Sequence, residues 1–242
     1  METVVINQIK DQSYTMKESL RALKTSISFS GKGVKSILFT SSVPNEGKTT
    51  VVMDLARSMA DSKKSVLVVD TDMRKSVLVG RLRAKVESGG KIYGLSHYLS
   101  GQVSLDKVVY ATNIKGVFIL FAGHEVPNPN RSFLRQKSLE SLSSLESKNF
   151  DYVLVDTPPT GAAIDAAVVG KNVDGAVIVA AQNVTSSRAI INTKRTLEDS
   201  GVKILGAVLN KCKFEESKYG HYYGNYYGNY YGNYYGRDED EK

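Results

Sequence analysis

The sequence contains only one cysteine, Cys212, among its 242 residues. A single cysteine excludes an internal disulfide framework and is typical of a reducing compartment. No apolar run approaches the roughly 18 residues that a membrane-spanning helix needs. The first residues, METVVINQIKDQSY, also lack the basic and then apolar pattern of a signal peptide. These absences predict a cytoplasmic protein.

Runs of positive charge are missing as well, although the formal net charge is +7. A positive balance suits nucleic acid, an anionic membrane surface or a phosphate-bearing ligand. No stretch of five or six consecutive basic residues occurs, and the densest basic patch is 74–85. We therefore expect no nucleic-acid partner. The hydrophobic residues, 41% of the chain, are enough for one sizeable core.

Short apolar runs alternate with helical stretches along most of the chain. The runs are nearly continuous in valine, isoleucine and leucine, as in parallel strands covered on both faces. They are residues 34–41, 65–72, 116–123, 152–159, 175–182 and 204–210, and the helical stretches are 18–28, 48–62, 131–148 and 186–200. The alternation predicts a doubly wound α/β domain with a mostly parallel sheet and helices on both faces. We expect an N-terminal segment over 1–33, the α/β domain over 34–213 and a flexible tail over 214–242.

The first predicted strand leads into SSVPNEGKTT, residues 41–50. Gly47, Lys48 and Thr49 match the end of the phosphate-binding pattern G-x-x-x-x-G-K-[ST], whereas Ser42 replaces its first glycine. Such a loop binds phosphates through converging backbone N–H groups, a helix N-terminus, the lysine, and a hydroxyl for Mg²⁺. Asparagine tolerates the left-handed conformation, which suits Asn45 to a tight turn. The predicted nucleotide-binding residues of this segment are Pro44, Asn45, Glu46, Gly47, Lys48, Thr49 and Thr50.

Acidic residues mark the ends of two further predicted strands. Asp70 and Asp72 lie in VVDTDMRK, and Asp156 lies in YVLVDTPP. On an ideal strand Asp70 and Asp72 point to opposite faces, so both reach the phosphates only if the strand ends there. The order of the three segments favours a nucleoside triphosphatase fold of the P-loop type, in which Asp156 holds Mg²⁺ directly or through water.

The chain ends in a repeat of x-Tyr-Tyr-Gly followed by RDEDEK. A four-residue repeat with glycine at every fourth position supports neither a helix nor a packed layer. The stretch has no aliphatic side chain. It carries nine tyrosines, which are Tyr219, Tyr222, Tyr223, Tyr226, Tyr227, Tyr230, Tyr231, Tyr234 and Tyr235.

The segments SSVPNEGKTT, VLVVDTDMRK and VLVDTPP, followed by the tyrosine-rich tail, resemble the bacterial tyrosine kinases of capsule and exopolysaccharide operons. The resemblance covers nearly the whole chain and includes ESLRALK, GLSHYLSG and PNPNRSFL. It fits the split form of the family, in which the kinase is a separate cytoplasmic chain and a membrane protein lends an activating segment. The resemblance implies that the tail tyrosines are the phosphoacceptors, kept out of the fold because they are the substrate.

The resemblance also implies a role for each motif residue. Lys48 binds the β- and γ-phosphates of ATP, and Thr49 ligates Mg²⁺. Asp70 and Asp72 form an additional Walker A′ motif, and Asp156 is the Walker B acid. The implied catalytic residues are Lys48, Asp70, Asp72 and Asp156, and the implied Mg²⁺ ligands are Thr49, Asp70, Asp72 and Asp156. Asp70 is the candidate acceptor of the tyrosine proton.

Further assignments follow from the same resemblance. Arg74 completes the D-x-D-x-R pattern and contacts phosphate or a neighbouring subunit, the alternative being a surface arginine. Asn210 ends a strand where related ATPases contact the base, the alternative being a strand-terminal turn. Glu18, Arg21 and Lys24 match the oligomerisation motif E-x-x-R-x-x-R, in which lysine keeps the charge but loses bidentate geometry.

The sequence departs from the family at two other positions. Asn45 stands where the loop usually has glycine, and Ser76 stands where the A′ motif often has proline. A partitioning ATPase of the deviant Walker type is one alternative function, but its additional lysine is replaced here by Val43. A non-catalytic, nucleotide-gated scaffold of a polysaccharide complex is the other alternative.

The family implies ATP and Mg²⁺ as cofactors and a homo-oligomer, expected to be a ring. The other implied partners are a membrane-embedded activator of polysaccharide chain-length control, which recruits the kinase to the inner face of the membrane, and a cognate tyrosine phosphatase. Each tail phosphate adds about −1.5 to −2 in charge, so four or five would roughly cancel the formal +7. We expect this change to disassemble the oligomer.

Overall fold

The computed structural model describes residues 1–9, 11–73, 77–124, 150–160 and 165–212. The chain divides into two units, Met1–Asn210 and Lys211–Lys242, and all strands and helices of the described residues lie in the first. The predicted helix over 131–148 and the tail over 214–242 lie outside the described residues. The predicted division of the chain at 33/34 and at 213/214 remains a prediction.

Strands and helices alternate through most of the described chain, except that β5 is followed directly by β6. The strands are β1 Thr3–Val5, β2 Ser36–Ser41, β3 Val66–Asp70, β4 Lys85–Val86, β5 Val109–Thr112, β6 Val117–Leu120, β7 Tyr152–Asp156, β8 Gly175–Ala181 and β9 Ile204–Asn210. The α-helices are α1 Tyr14–Phe29, α2 Lys48–Asp61, α3 Leu78–Leu82, α4 Leu95–Leu99, α5 Asp165–Gly170 and α6 Ser187–Asp199, and a 3₁₀ turn spans Leu105–Lys107. No helix in these ranges has both the length and the apolar character needed to cross a bilayer.

The described strands form one sheet in the order β4-β1-β5-β6-β3-β7-β2-β8-β9. The strands from β6 to β9 in this order are parallel, whereas β5 is antiparallel to β6 and β4 to β1. Because β7 lies between β3 and β2, Asp156 pairs with Asp70 on one side and with Phe39 on the other. The carboxyl ends of the strands that carry the predicted acids thus meet at one edge of the sheet, where ligands bind in open α/β folds.

Two apolar clusters cover the two faces of this sheet. Ile37 of β2 packs in one cluster with Val52 of α2 and Leu20 of α1. The next residue, Leu38, packs in the other cluster with Leu197 of α6. Neighbouring residues of one strand are therefore buried against opposite layers, which explains the continuous apolar runs in the sequence. The predicted doubly wound architecture, with helices on both faces, is confirmed.

The six predicted strands are all present, each inside its predicted run. Strands β1, β4 and β5 were not predicted, since they span only two to four residues and show no readable periodicity. Helix α1 begins at Tyr14 rather than at residue 18. The Ser13 hydroxyl accepts a hydrogen bond from the N–H of Met16 at 3.2 Å and so caps the additional turn.

Candidate active site

The loop between β2 and α2 turns the chain from a buried strand into a helix. Asn45 has a φ of 65° and Gly47 a φ of 90°, so Asn45 adopts the left-handed conformation expected for it. A Cβ atom at Gly47 would meet the side-chain amide nitrogen of Asn210, so both the angle and the space require glycine. Helix α2 then begins at Lys48, where its first N–H groups have no partner within the helix. This geometry suits a bound phosphate.

Glu46 is fully buried in this loop and joins it to the end of β8. Its Oε2 accepts a hydrogen bond from the N–H of Val43 at 2.8 Å. Its Oε1 accepts from the N–H of Ala181 at 3.2 Å and from the hydroxyl of Thr185. Glu46 was predicted to bind nucleotide as part of the loop, but its carboxylate accepts hydrogen bonds from groups within the protein. The side chain therefore sets the shape of the loop, while its contact with nucleotide remains a prediction.

Contacts from β9 and α6 hold the same loop. The side-chain amide of Asn210 donates to the carbonyl oxygen of Glu46 at 2.9 Å. Thr193 of α6 donates to the Ser42 hydroxyl at 2.9 Å, and its own hydroxyl lies 2.8 Å from that of Thr160. The loop is thus fixed at both its beginning and its end by segments that follow it by more than 100 residues.

Sequence reasoning missed three residues of this framework, Thr160, Thr185 and Thr193. Each is a single threonine outside the phosphate-binding motif, and no local pattern distinguishes it from other threonines. The family resemblance implied Asn210 as a nucleotide contact, from its place at a strand end. The structure gives it a contact with the loop backbone, while base recognition by Asn210 remains a prediction.

Lys48, the first residue of α2, is buried at the edge of the sheet. Burial lowers the pKa of its ammonium group below the usual value, and the carboxylates of Asp156 and Asp72 act in the opposite direction. A cation held away from bulk water interacts more strongly with an anion than an exposed one does. The lysine is therefore well placed to bind a phosphate that enters the loop.

Asp156, the last residue of β7, is joined to Thr49. The Thr49 hydroxyl donates to Asp156 Oδ2 at 2.5 Å. Asp156 is only 4% exposed, and its Oδ1 is buried without a hydrogen-bond partner within the described ranges. Burial raises the pKa of Asp156 to about 6, although the Thr49 hydroxyl and the Lys48 charge oppose the shift. A buried carboxylate oxygen without a partner is a suitable ligand for a metal ion or a metal-bound water.

The chain turns immediately after β3 ends at Asp70. The N–H of Asp72 donates to Asp70 Oδ1 at 3.0 Å. The N–H and hydroxyl of Thr71 donate to the Asp156 carbonyl oxygen at 2.9 and 2.8 Å. The turn removes the alternation that would direct Asp70 and Asp72 to opposite faces. Asp72 influences the pKa of both Lys48 and Asp156, so its carboxylate lies near the phosphate-binding loop.

These side chains fit a Mg²⁺ ion that is bound together with phosphates. Across the ranges that the structure covers, no group of three or more His, Cys, Asp or Glu side chains is placed to hold a metal by itself. Mg²⁺ usually keeps several waters and takes one or two carboxylates plus substrate phosphates. The unpartnered Oδ1 of Asp156 and the hydroxyl of Thr49 meet that requirement. The assignment of Thr49, Asp70, Asp72 and Asp156 as ligands remains a prediction.

The residues predicted for self-association lie on α1. Arg21 and Glu18 form an exposed ion pair at 2.6 Å. Lys24 donates to the hydroxyl of Ser62, just after the end of α2, at 2.5 Å. These contacts within one chain leave the role in assembly untested. Arg74, Ser76 and the nine tail tyrosines lie outside the described residues.

Comparison with known proteins identifies the family to which the chain belongs. A family model described as an AAA domain matches residues 35–204. Tyrosine-protein kinase CpsD of Streptococcus pneumoniae serotype 4 is 38% identical over 204 residues, which are 84% of this chain and 88% of that protein. The chain belongs to the bacterial tyrosine kinases. The kinase is also 33% identical over 195 residues to tyrosine-protein kinase etk of Escherichia coli strain K12, across 80% of this chain and 26% of that protein.

Solved structures agree with this assignment. The kinase domain of Escherichia coli tyrosine kinase ETK is 29% identical to the kinase described here, with a TM-score of 0.73 over 87% of this chain and 86% of that chain. The septum site-determining protein MinD of Pyrococcus horikoshii OT3, solved with Mg-ADP, is 23% identical, with a TM-score of 0.60 over 76% of this chain and 72% of that one. At this identity the likeness to MinD concerns the fold alone.

Proposed function

We propose that this kinase phosphorylates the tyrosine cluster of its own tail, residues 219–235, with ATP as the donor and with transfer between copies in an oligomer. The observation that carries the proposal is the contact of Thr49 with the buried Asp156, next to Lys48 at the start of α2. It supplies a hydroxyl, a carboxylate and an ammonium group where phosphates and their Mg²⁺ would bind. The relatives named tyrosine-protein kinase support tyrosine as the acceptor.

In the proposed reaction, the phenolic oxygen of a tail tyrosine attacks the γ-phosphorus of ATP. A bond forms between these two atoms, the bond from the γ-phosphorus to the bridging oxygen breaks, and ADP leaves. The phenolic proton passes to the carboxylate of Asp70. Phosphoryl transfer depends mainly on positioning and charge neutralisation, so a carboxylate is a sufficient base.

The chain's own residues orient the donor. Lys48 binds the β- and γ-phosphates, and the N–H groups at the start of α2 add to the positive field there. Glu46 and Asn210 keep the loop in shape through their hydrogen bonds. Mg²⁺, when bound, neutralises charge on the same phosphates, and the residues proposed to hold it are Thr49, Asp70, Asp72 and Asp156.

The proposed tail reaction explains why tyrosines accumulate in a segment without aliphatic residues. A tethered acceptor reaches a high local concentration near a nearby site, on the millimolar scale for short linkers. We assign transfer to a neighbouring copy, with Glu18, Arg21 and Lys24 at the contact between copies. Accumulated phosphate charge would then separate the copies, and a tyrosine phosphatase would reset the system.

We place this activity in the synthesis and export of a capsular polysaccharide or exopolysaccharide. Membership of the bacterial tyrosine kinases supports this setting. In it, the kinase acts in the cytoplasm and a membrane-embedded adaptor of chain-length control recruits it to the inner face of the membrane.

The test is incubation with labelled ATP and Mg²⁺, followed by acid hydrolysis to phosphoamino acids. Labelled phosphotyrosine in tail peptides is expected for the wild-type chain. The variant Lys48→Met is expected to lose it by at least about 100-fold, the scale for removing a charge-stabilising group at a reacting centre. The exposed Lys91→Met is the matched control. Free phosphate without phosphotyrosine would support an ATPase. The absence of both products would support a scaffold.

Dilution tests transfer between copies. If the tail of one copy enters the site of another, the initial rate of phosphorylation per molecule falls when the protein is diluted below its assembly range. A rate per molecule that does not change with dilution would show that transfer occurs within one chain.

A further inference from the structure

Five tyrosines lie outside the tail, and they differ sharply in exposure. Tyr110 is fully buried and Tyr93 is 38% exposed. Tyr98 and Tyr152 are half-buried and pack against the apolar clusters. Tyr14 is 79% exposed, so its phenol is the most accessible of these five to another molecule.

Tyr14 also lies at a helix end, where fewer backbone hydrogen bonds hold the chain than in the middle of a helix. Tyr14 is the first residue of α1, and the first N–H groups of a helix have no partner within it. The Ser13 side chain caps Met16 at 3.2 Å, and Gln12 donates to Asp54 of α2 at 3.0 Å. Presenting Tyr14 in an extended conformation would open the first turn of α1, including the hydrogen bond from the Lys17 N–H to the Ser13 carbonyl oxygen at 3.0 Å and the packing of Met16 against the apolar cluster.

The direction of α1 relative to α2 decides which end of α1 carries Tyr14. Gln12 contacts Asp54, and Lys24 contacts Ser62, so α1 runs beside α2 in the same direction. Asp54 is six residues after Lys48, which is roughly 9 Å along the helix at 1.5 Å per residue. Tyr14 lies at the end of α1 nearer to the phosphate-binding loop.

We propose that Tyr14 is a second phosphorylation site of this kinase, modified by another copy of the chain. The inference rests on the proposed self-phosphorylation. The chemistry is the same: the Tyr14 oxygen bonds to the γ-phosphorus of ATP, the bond to the bridging oxygen breaks, ADP leaves, and the phenolic proton passes to the base of the copy that acts as enzyme.

The phosphate would change the charge of one face of α1. Tyr14, Glu18 and Arg21 are spaced by four and three residues and so share a face. Glu18 and Arg21 form an ion pair and their charges cancel. A phosphate would add about −1.5 to −2 to this face, one turn away from Glu18.

The experiment mixes two versions of the full chain. The enzyme is the chain with Tyr14→Phe and an intact tail. The substrate is the chain with Lys48→Met and all nine tail tyrosines replaced by phenylalanine, so that it cannot label itself and keeps Tyr14. After incubation with labelled ATP and Mg²⁺, phosphopeptides of the two versions are separated and mapped.

Label on the substrate peptide that contains Tyr14 is the expected result. Adding Tyr14→Phe to the substrate is expected to remove at least about nine-tenths of that label, whereas adding Tyr93→Phe leaves it. If the enzyme labels its own tail but not the substrate, or if label survives Tyr14→Phe, the inference about Tyr14 is wrong and the proposed function stands. If the enzyme also fails to label its own tail, the proposed function is wrong, and this inference with it.

Discussion

The side-chain amide of Asn210 donates a hydrogen bond to the carbonyl oxygen of Glu46 at 2.9 Å, across a sequence separation of 164 residues. Asn210 ends β9, and Glu46 precedes the glycine at which α2 is capped. The contact links the shape of the phosphate-binding loop to the strand at the far end of the parallel part of the sheet. We therefore expect the affinity for nucleotide to depend on residues that need not touch the phosphates.

Replacing Asn210 by alanine tests this dependence. Asn210→Ala leaves the Glu46 carbonyl without its donor and opens space above Gly47. A lost hydrogen bond of about 1 kcal/mol predicts a Kd for Mg-ATP that is about fivefold higher. Isothermal titration calorimetry measures this value. Asn192→Ala, on the exposed side of α6, is the control and should bind like the wild type.

A second prediction concerns the buried carboxylate of Glu46. In Glu46→Gln one oxygen becomes an NH₂ group, which cannot accept from Val43, Ala181 or Thr185. At least one donor loses its partner, and we expect unfolding to require about 1–3 kcal/mol less free energy. Chemical denaturation measures this change. The exposed Glu87→Gln serves as the control, and equal stability of the two variants would contradict the structural role.

A third prediction concerns Asp156, whose pKa is raised by burial to about 6. Between the unfolded-state pKa near 4 and the folded-state pKa of about 6, Asp156 holds a proton in the folded protein that it has lost in the unfolded chain. Stability without nucleotide therefore falls as pH rises from about 4 to 6. Asp156→Asn removes the buried negative charge that causes this loss of stability. We therefore expect it to stabilise the metal-free protein at pH 7.5 by roughly 1–3 kcal/mol.

Thermal unfolding of the wild type and of Asp156→Asn, in the presence of a metal chelator at pH 4.5 and 7.5, measures this effect. The advantage of Asp156→Asn should be larger at the higher pH. The same variant should lose Mg²⁺-dependent binding of ATP, because the amide is a poorer metal ligand than the carboxylate. Lower stability of the variant at pH 7.5 would contradict the prediction.

The fourth prediction has the opposite sign and concerns Asp174, next to β8. Burial by itself raises the pKa of Asp174, but hydrogen bonds from Lys35 and Ser36 outweigh it and leave the pKa below its usual value. The N–H groups of Lys35 and Ser36 donate at 2.7 and 2.8 Å. A depressed pKa stabilises the protein above the unfolded-state value near 4, and this contribution is lost as pH falls through the folded-state value.

Asp174→Asn should therefore lower the free energy of unfolding at pH 7 by about 1 kcal/mol, a modest value because solvent reaches the side chain. The difference from wild type should shrink below pH 4. Tm measured across pH 3–7 checks both statements. Asp11→Asn, at an exposed position, should show no such dependence, and a pH-independent loss in Asp174→Asn would contradict the electrostatic account.

Much of the fold follows from local features of the sequence. Strands β3, β7, β2 and β8 carry buried residues on both faces, because each face is covered by an apolar layer, and this produces runs that can be recognised without a structure. Strand β9 lies at the edge of the sheet and is only partly buried, with Leu209 60% exposed. The phosphate-binding loop is equally local, since Asn45, Gly47, Lys48 and Thr49 are consecutive or nearly so. Short strands such as β1 and β4 were not predicted, because two or three residues are too few to show a hydrophobic periodicity.

The framework behind the loop was decided only by the tertiary structure. Glu46 appears in the sequence as one polar residue of a nucleotide-binding motif, yet its carboxylate is buried against Ala181 and Thr185, more than 130 residues away. Strand order brings these groups together, and periodicity does not encode strand order. The sequence by itself determined which groups are available to bind phosphate and metal. Only the packing of β7 between β3 and β2 decided that Asp156 would be buried beside Thr49, with the raised pKa that this burial causes.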